Sequence, residues 1–578
     1  MQYSDKRNVQ ILVALLKGHG IKYVVASPGT TNIMFVVSIQ NDPWFTVYSA
    51  PEERSAAYMA CGIALETGEK VVLTCTGATA SRNYLPGLTE AYYRNLPILA
   101  VTSLLDSAIP DNLMPQVIDR SMRPKDSCIF SVDIPEIHSK KDEWKCNLLI
   151  NKAILESTHG KGGPVHINLQ DDFSYNFHVK SLPNCRVIRR IGKEDKFPST
   201  LDNRKIAIYI GDHRGFSKKE EEIIDKFCKI HNAIVLVDHL SNFYGTYAVQ
   251  RSLILAQEQL DASFKHFNLI IDIGEISGDY YMPLADIVWR IDESGRVQDR
   301  FGTLKYVFEM SCLDFFIRYC NTDEIIECKT ATLSQEWQEK NNELISALPQ
   351  LPLSNIWVAK ELAGKIPANS EIHLGILNSL RAWNFFEYNV QIISNANIGG
   401  FGIDGGLSTL MGASLIHANK LYFIVLGDLA FFYDMNSLGN RHIGNNVRIL
   451  LINNACGTEF NNYSHPGSMF GEKTNDYIAA GGHYGNHSHT LVKNYAENLG
   501  FVYLSAESKS EFKQNCNSFL DSHVHRSIIF EVFTNSDDES NALKKMRNIE
   551  HNITIKNIIK DSLGTERINQ IKNFINKE

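Results

Sequence analysis

Residues 421–460 read LYFIVLGDLAFFYDMNSLGNRHIGNNVRILLINNACGTEF. Two apolar runs, LYFIVL and VRILLI, each stop at a small polar pair, Gly427-Asp428 and Asn453-Asn454. Short apolar runs of this kind read as buried strands of a parallel sheet. In open parallel sheets ligands bind beyond the carboxyl ends of the strands. Asp428 and Asn454, 26 residues apart, are therefore expected side by side at that edge. A carboxylate, an amide oxygen and a nearby backbone carbonyl make a hard, incomplete oxygen shell, which magnesium completes with phosphates of a bound substrate. Gly427 lets a phosphate approach the backbone, and a following helix would turn N–H groups toward it. Either pair alone reads as a helix cap or a turn. Together they point to a metal–phosphate site.

Composition narrows the partners. A chain of 578 residues is too long for one hydrophobic core, so two to four domains are expected. With 57 Lys and Arg against 65 Asp and Glu, the net charge of −8 offers no basic stripe, which argues against nucleic acid. No apolar run reaches the ~20 residues of a membrane span. The opening MQYSDKRNVQ lacks a signal peptide's charged-then-apolar layout. The 11 cysteines include no C-x-x-C pair, and Cys61 and Cys75 sit in apolar runs. Reduced thiols and a cytoplasmic location are the expectation.

Strands and helices alternate from the start. NVQILVALLKGHG reads as a helix, IKYVVAS as a strand, SAAYMACGIALETG as a helix, then KVVLTCTG and LPILAVT as strands. This rhythm predicts α/β architecture with mostly parallel sheets covered on both faces. It recurs twice, through KIAIYIGD, AIVLVDHL and LIIDIGE, and again from Ser354 to SIIFEVF. Three consecutive α/β units are expected, over residues 1–182, 200–335 and 354–540, with a polar helical tail over 541–578.

At this point the motifs resemble those of thiamine-diphosphate enzymes. The likeness is nearest to the menaquinone-pathway 2-succinyl-5-enolpyruvyl-6-hydroxy-3-cyclohexene-1-carboxylate synthase family. GDLAFFYDMNSL is similar to the family's GDL-x-x-x-YD-x-N-x-L, FGIDGGLST to SGIDGLLST, and SPGTT to SPGSR. The resemblance implies pyrimidine-binding, central and diphosphate-binding domains, with thiamine diphosphate and Mg2+ as cofactors. It places Asp428, Asn454 and the Cys456 main-chain carbonyl as metal ligands; sulfur itself is a poor ligand for magnesium. Gly402, Ile403, Asp404, Gly427, Leu429 and Ala430 would cradle the cofactor, with Ile403 wedging it into a bent shape. APEERSAAYMACGIA is similar to FDERGLGHLALGLA, which puts Glu53 in the role of the carboxylate that activates the pyrimidine, with Glu52 beside it. Gln116 would face the reacting carbon, and Asn83 would lie near the same pocket. Glu52 and Glu53 also read simply as first-turn acids that complement a helix dipole.

The likeness breaks where the family binds dicarboxylates with arginines, the natural partners of carboxylates. The arginine positions hold Thr31, Ile398 and Trp383, with Arg381 two residues before the last. The basic pair of TGKR is Asp279-Tyr280, and A-D-R-P has become SLLD. Phe401 replaces a serine. Trp383, Phe401, Tyr280 and Phe431 are read as an aromatic, less charged pocket, and Arg82 or Arg381 as the contact for a donor carboxylate. His483, His487 and His489 in GGHYGNHSHT read as a polar lid rather than a metal site.

The expected activity is thus decarboxylation of a 2-oxo acid and transfer of the resulting acyl carbanion to an acceptor other than isochorismate. The family's own synthase reaction, plain decarboxylation and a silent cofactor-binding scaffold are the alternatives. The resemblance further implies a homodimer or homotetramer with the active site between subunits.

Overall fold

The computed structural model describes residues 2–105, 113, 116–118, 124–171, 175–198, 204–320, 332–523 and 525–555. Three sets of parallel strands organise them, which bears out the α/β reading. The first set is β1 (Tyr23–Ala26), β2 (Thr46–Ser49), β3 (Val71–Thr76), β4 (Ile98–Leu105), β5 (Phe130–Ile134) and β6 (Val165–Asp171), ordered β2-β1-β3-β4-β6-β5. After the short β7 (Arg189–Ile191) come β8 (Ile206–Ile210), β9 (Ile234–Val237), β10 (Ala248–Gln250), β11 (His266–Ile273) and β12 (Leu284–Ile291), running β10-β9-β8-β11-β12. β13 (Leu304–Phe308) pairs in parallel with β7. The last set, β14 (Ser370–Leu374), β15 (Ile393–Asn395), β16 (Leu421–Gly427), β17 (Val447–Asn453), β18 (Val502–Ala506) and β19 (Ile528–Phe533), is ordered β15-β14-β16-β17-β19-β18.

Contacts divide the chain into two compact units. Residues 1–196 with 294–309 form one, and 197–293 with 310–578 the other. In the first, Val24, Val72, Leu99 and Ile167 of the sheet pack on Leu12 and Leu16 of the helix Arg7–Gly18 and on Ile150 of the helix Lys140–Glu156. In the second, one core gathers Ile424, Leu426, Ile449 and Leu451 of β16 and β17 with Leu407, Leu410 and Phe431.

Strand order fixes where a site can form. In the first sheet the chain moves outward from β1 to β2, then returns to β3 on the other side of β1. In the last it moves from β14 to β15, then returns to β16. Each reversal opens a crevice at the carboxyl ends of the strands that flank it, β1 with β3 and β14 with β16.

The segment expected as a separate tail does not begin at residue 541. The helix Ser536–Arg547 runs through that point with Ala542 and Met546 buried, and Ile549 is buried beyond it. Its N-cap is Asn535, whose side chain accepts from Asp538 N–H. Of the expected tail, 556–578 lies outside the described residues, as does residue 106 at the end of SLLD.

Candidate functional site

In the first unit, Thr31, Glu53, Arg82 and Asn83 all follow the carboxyl ends of β1, β2 and β3. The β1 and β3 ends touch: a Cβ on Gly29 would overlap the Thr76 side chain, so only glycine fits there. The Asn32 side chain ties the turn by accepting from Gly29 N–H at 3.0 Å and donating to Ser27 O at 3.0 Å. Thr31 Oγ1 donates to Ser103 O at 3.2 Å.

The two glutamates have different partners. Glu52 is the N-cap of the helix Glu53–Thr67, its carboxylate accepting from Arg54 and Ser55 N–H at 3.2 and 2.8 Å. Glu53, one residue on, accepts from Asn83 Nδ2 at 3.2 Å. That contact depends on helix packing. Ala56, Ala57, Ala60 and Ala64 make one face of the Glu53 helix small, and Gly87 lets the helix Leu85–Tyr93 settle on it. A Cβ at Gly87 would overlap Ala57 Cβ. Gln116 is exposed with φ 63°, between stretches outside the described residues.

In the second unit, β16 and β17 are parallel neighbours with Gly427 opposite Ile452, so the two polar pairs stand together. Asp428 is buried and starts the seven-residue helix Asp428–Asp434. Its Oδ2 accepts from Asn454 N–H at 3.1 Å and its Oδ1 from Leu429 N–H at 2.7 Å. Burial raises the Asp428 carboxyl to about 6 against the opposing pull of those backbone donors. Ala455 at φ 63° turns the chain sharply after Asn454. The Cys456 carbonyl accepts from Thr458 N–H at 3.0 Å, and its Sγ lies 3.0 Å from Ser536 Oγ. A Cβ on Gly427 would meet nothing within 4 Å, so the backbone there faces open space. An acid, an amide and a carbonyl beside open backbone fit a hard cation carrying phosphate.

The loop 401–405 lies before the helix Gly406–Ser414. Phe401 is half-buried at φ 54°, Ile403 half-buried, and Gly402 and Asp404 exposed. Asp434, the last residue of the Asp428 helix, holds the first turn of the helix that follows this loop, accepting from Ser408 N–H at 2.6 Å and from its hydroxyl. The acid of YD in the quoted motif was the available signal for this role.

The expected aromatic pocket does not assemble. Trp383 and Phe431 are wholly buried, Phe431 within the β16–β17 core. Ile398 is buried too, and a Cβ at Gly278 would strike Leu380 and crowd Ile398, so these segments close on one another through apolar contact. Asp279 is held inward by the Ser252 hydroxyl, and burial raises its carboxyl. Tyr280 is exposed, its ring centroid 3.8 Å from the Arg381 guanidinium carbon. Arg381 Nη1 donates to Glu459 Oε1 and Oε2 at 2.7 and 2.9 Å, a partner the sequence did not mark.

A cavity of about 280 Å³ opens beside this pair, walled by Tyr280, Tyr281, Phe385, Asn462 and His465. Glu539 reaches it as well. Its carboxylate accepts from Asn355 N–H at 2.9 and 3.0 Å and from Thr534 Oγ1 at 2.8 Å. Burial pushes its carboxyl up to about 7, with smaller contributions from the Asp538 and Asp428 charges.

The histidines diverge. His487 Nε2 meets Asn453 O at 2.9 Å, whereas His489 Nδ1 pairs with Glu507 at 3.0 Å. Among the described residues no three His, Cys, Asp or Glu side chains gather as a metal group. The loop leans on the site through Tyr484, stacked on Phe432 with centroids 4.7 Å apart. Among the described residues no helix is long and apolar enough to cross a membrane.

Residues 7–121 match the family model described as thiamine pyrophosphate enzyme, N-terminal TPP binding domain. Over 94% of the chain, proteins named 2-succinyl-5-enolpyruvyl-6-hydroxy-3-cyclohexene-1-carboxylate synthase are similar. The one from Bacteroides fragilis is 30% identical over 560 residues, covering 94% of this chain and 98% of its own length. Those from Bacteroides thetaiotaomicron and Phocaeicola vulgatus are 30% and 29% identical, each over 94% of this chain and 98% of the relative.

Proposed function

We infer, from a chain that belongs to the thiamine-pyrophosphate enzymes related to these synthases, that it decarboxylates a 2-oxo acid and joins the remaining acyl unit to an acceptor other than isochorismate. When bound, thiamine diphosphate supplies the electron sink for the decarboxylation. Glu53 is proposed to hold the cofactor's pyrimidine through its carboxylate, oriented by Asn83. Asp428, Asn454 and the Cys456 carbonyl are proposed to hold Mg2+, with the backbone from Gly427 to Ala430 and the 402–404 loop against the diphosphate. Gln116 is proposed to face the reacting carbon and Arg82 to meet the donor's carboxylate. His487, fixed to the last residue of β17, is proposed to tether its loop as a polar lid beside the metal side.

One observation carries the substrate part of this reading. Where the related family places arginines, Ile398 and Trp383 are closed into apolar packing, and Asp279 is turned inward. A carboxylate buried there would lack a partner, at a cost of several kcal/mol each, on the order of ~3–5. At ~1.4 kcal/mol per factor of ten, two such losses remove most of the turnover. A small donor such as pyruvate needs one contact only.

The family's own synthase reaction is the second reading, favoured by similarity that spans 94% of the chain. The assay pairs pyruvate or 2-oxoglutarate with isochorismate and follows isochorismate absorbance and carbon dioxide release. Carbon dioxide from pyruvate with isochorismate untouched supports the proposal. Rapid isochorismate consumption with 2-oxoglutarate replaces it with the second reading. Asp428→Ala should abolish magnesium-dependent cofactor binding, and wild-type affinity in that variant would remove the metal assignment.

A further inference from the structure

We propose that Glu459 sets the charge this enzyme accepts: it holds Arg381 as a closed, internally neutralised pair, so the adjoining cavity takes an uncharged, hydroxyl-bearing carbonyl compound as acceptor. The inference rests on the reading above, that the chain joins an acyl unit to an acceptor other than isochorismate.

The Arg381 side chain is 10% exposed and that of Glu459 16%, so the pair sits largely out of water. Both carboxylate oxygens converge on Nη1. Asn462 Nδ2 donates to Glu459 Oε2 at 3.3 Å, and Asn378 reaches the same oxygen at 2.8 Å with its amide turned. The carboxylate is thereby saturated and fixed in place. The other edge of the guanidinium is closed. Nε and Nη2 have no hydrogen-bond partner among the described residues and no contact with solvent, and the Tyr280 ring stacks on the group. An incoming carboxylate would have to displace Glu459, exchanging one buried ion pair for another and leaving a second acid unpaired.

The second cation on the cavity wall is also matched. Arg547 donates to Ser464 Oγ at 3.0 Å and faces Glu258 at 3.4 Å. Apart from Glu539, whose carboxylate is already held by Asn355 N–H and Thr534 Oγ1, what the wall still offers is neutral. Aromatic faces come from Tyr280, Tyr281 and Phe385, and His465, whose Nδ1 accepts from Gly467 N–H at 3.0 Å, keeps Nε2 for a ligand. Flat rings with amides and an imidazole suit a carbon skeleton bearing hydroxyls. About 280 Å³ admits a molecule of a few to a dozen heavy atoms.

Calorimetric titration of the full-length protein, in the absence of turnover, tests this with glyceraldehyde as uncharged probe and succinate as anionic probe. Wild type should bind glyceraldehyde, and should bind succinate no better than Arg381→Gln does. Glu459→Gln, which keeps the shape and releases the guanidinium, should gain succinate affinity by roughly tenfold or more, the scale of one charge-assisted hydrogen bond. The gain should vanish in the double variant with Arg381→Gln. Succinate binding by wild type that Arg381→Gln abolishes would overturn the proposal, as would an unchanged succinate affinity in Glu459→Gln. Should the variants not fold, wild type alone decides: tighter binding of succinate than of glyceraldehyde overturns it, and the reverse supports it. Cofactor binding, followed by quenching of tryptophan fluorescence, is read separately. Its failure would sink the thiamine-diphosphate assignment and leave the succinate comparison standing.

Discussion

Where β2 runs into its helix, Glu52 spends its carboxylate on the N–H groups of Arg54 and Ser55, while Glu53 is left to Asn83. Glu53→Gln should therefore preserve cofactor affinity and suppress proton–deuterium exchange at the thiazolium carbon of the bound cofactor. Glu52→Ala should lower Tm and leave that exchange rate alone; the opposite pattern would swap the two roles. Glu539 gives a pH signature. Its carboxyl stands near 7 in the folded protein against 4.5 ordinarily, so between those values the native state holds more protons than the unfolded chain. Stability then falls as pH rises through that window, by about 3 kcal/mol in all. In the protein without ligands, Tm should drop between pH 5 and 7.5, and Glu539→Gln should flatten most of that slope. A slope unchanged in the variant would assign it to other groups. Asp428, Asn454 and Glu53 could be picked out in the sequence because each ends an apolar run or opens a helix. Glu459 could not, since in ACGTEFN it looks like any acid in a turn, and its meaning comes only from Arg381, 78 residues earlier.

Packing between elements delivers these groups. The Glu53 helix and the helix Leu85–Tyr93 approach so closely that Gly87 has no room for a methyl group. Gly87→Ala should cost ~1–3 kcal/mol by overpacking and draw Asn83 away from Glu53. Thermal denaturation together with the exchange assay would register both effects. Wild-type Tm in that variant would mean the helices can slide apart freely. The long central strands were plain in the sequence, because β3, β16 and β17 are mostly apolar runs buried almost throughout. The edge strands β2, β15 and β18 were not. They are three to five residues long and only partly buried, so no periodicity distinguishes them from loops. The aromatic pocket failed for a related reason: composition says that a ring is present, and the neighbouring backbone decides whether it lines a cavity or fills a core.

At the scale of the whole chain, the candidate carboxylate Glu53 belongs to one compact unit and Asp428 to the other. On the proposed reading the two serve one cofactor, which implies that residues of two subunits meet at it. Light scattering of cofactor-loaded protein should report a dimer or larger, and a fully active monomer would contradict the shared-site reading. Three α/β units were visible in the alternation of strands and helices, yet nothing in SGRVQDRFGTLKYVFE, residues 294–309, announces a return to the first unit. The pairing of β13 with β7 reveals it, together with the contacts of Asp299 to Trp144 and Arg186. A fragment ending at residue 196 should accordingly be less stable than the intact chain, with β7 lacking its parallel partner. The same pairing carries a consequence for synthesis. β7 ends at Ile191 and β13 begins at Leu304, so the first unit stays open while about 110 further residues are translated. At ~5–20 residues per second, that is a wait on the order of ten seconds. Through this interval the nascent chain presents an unpaired strand, and a holdase that shields it on the ribosome would raise the yield of the finished protein.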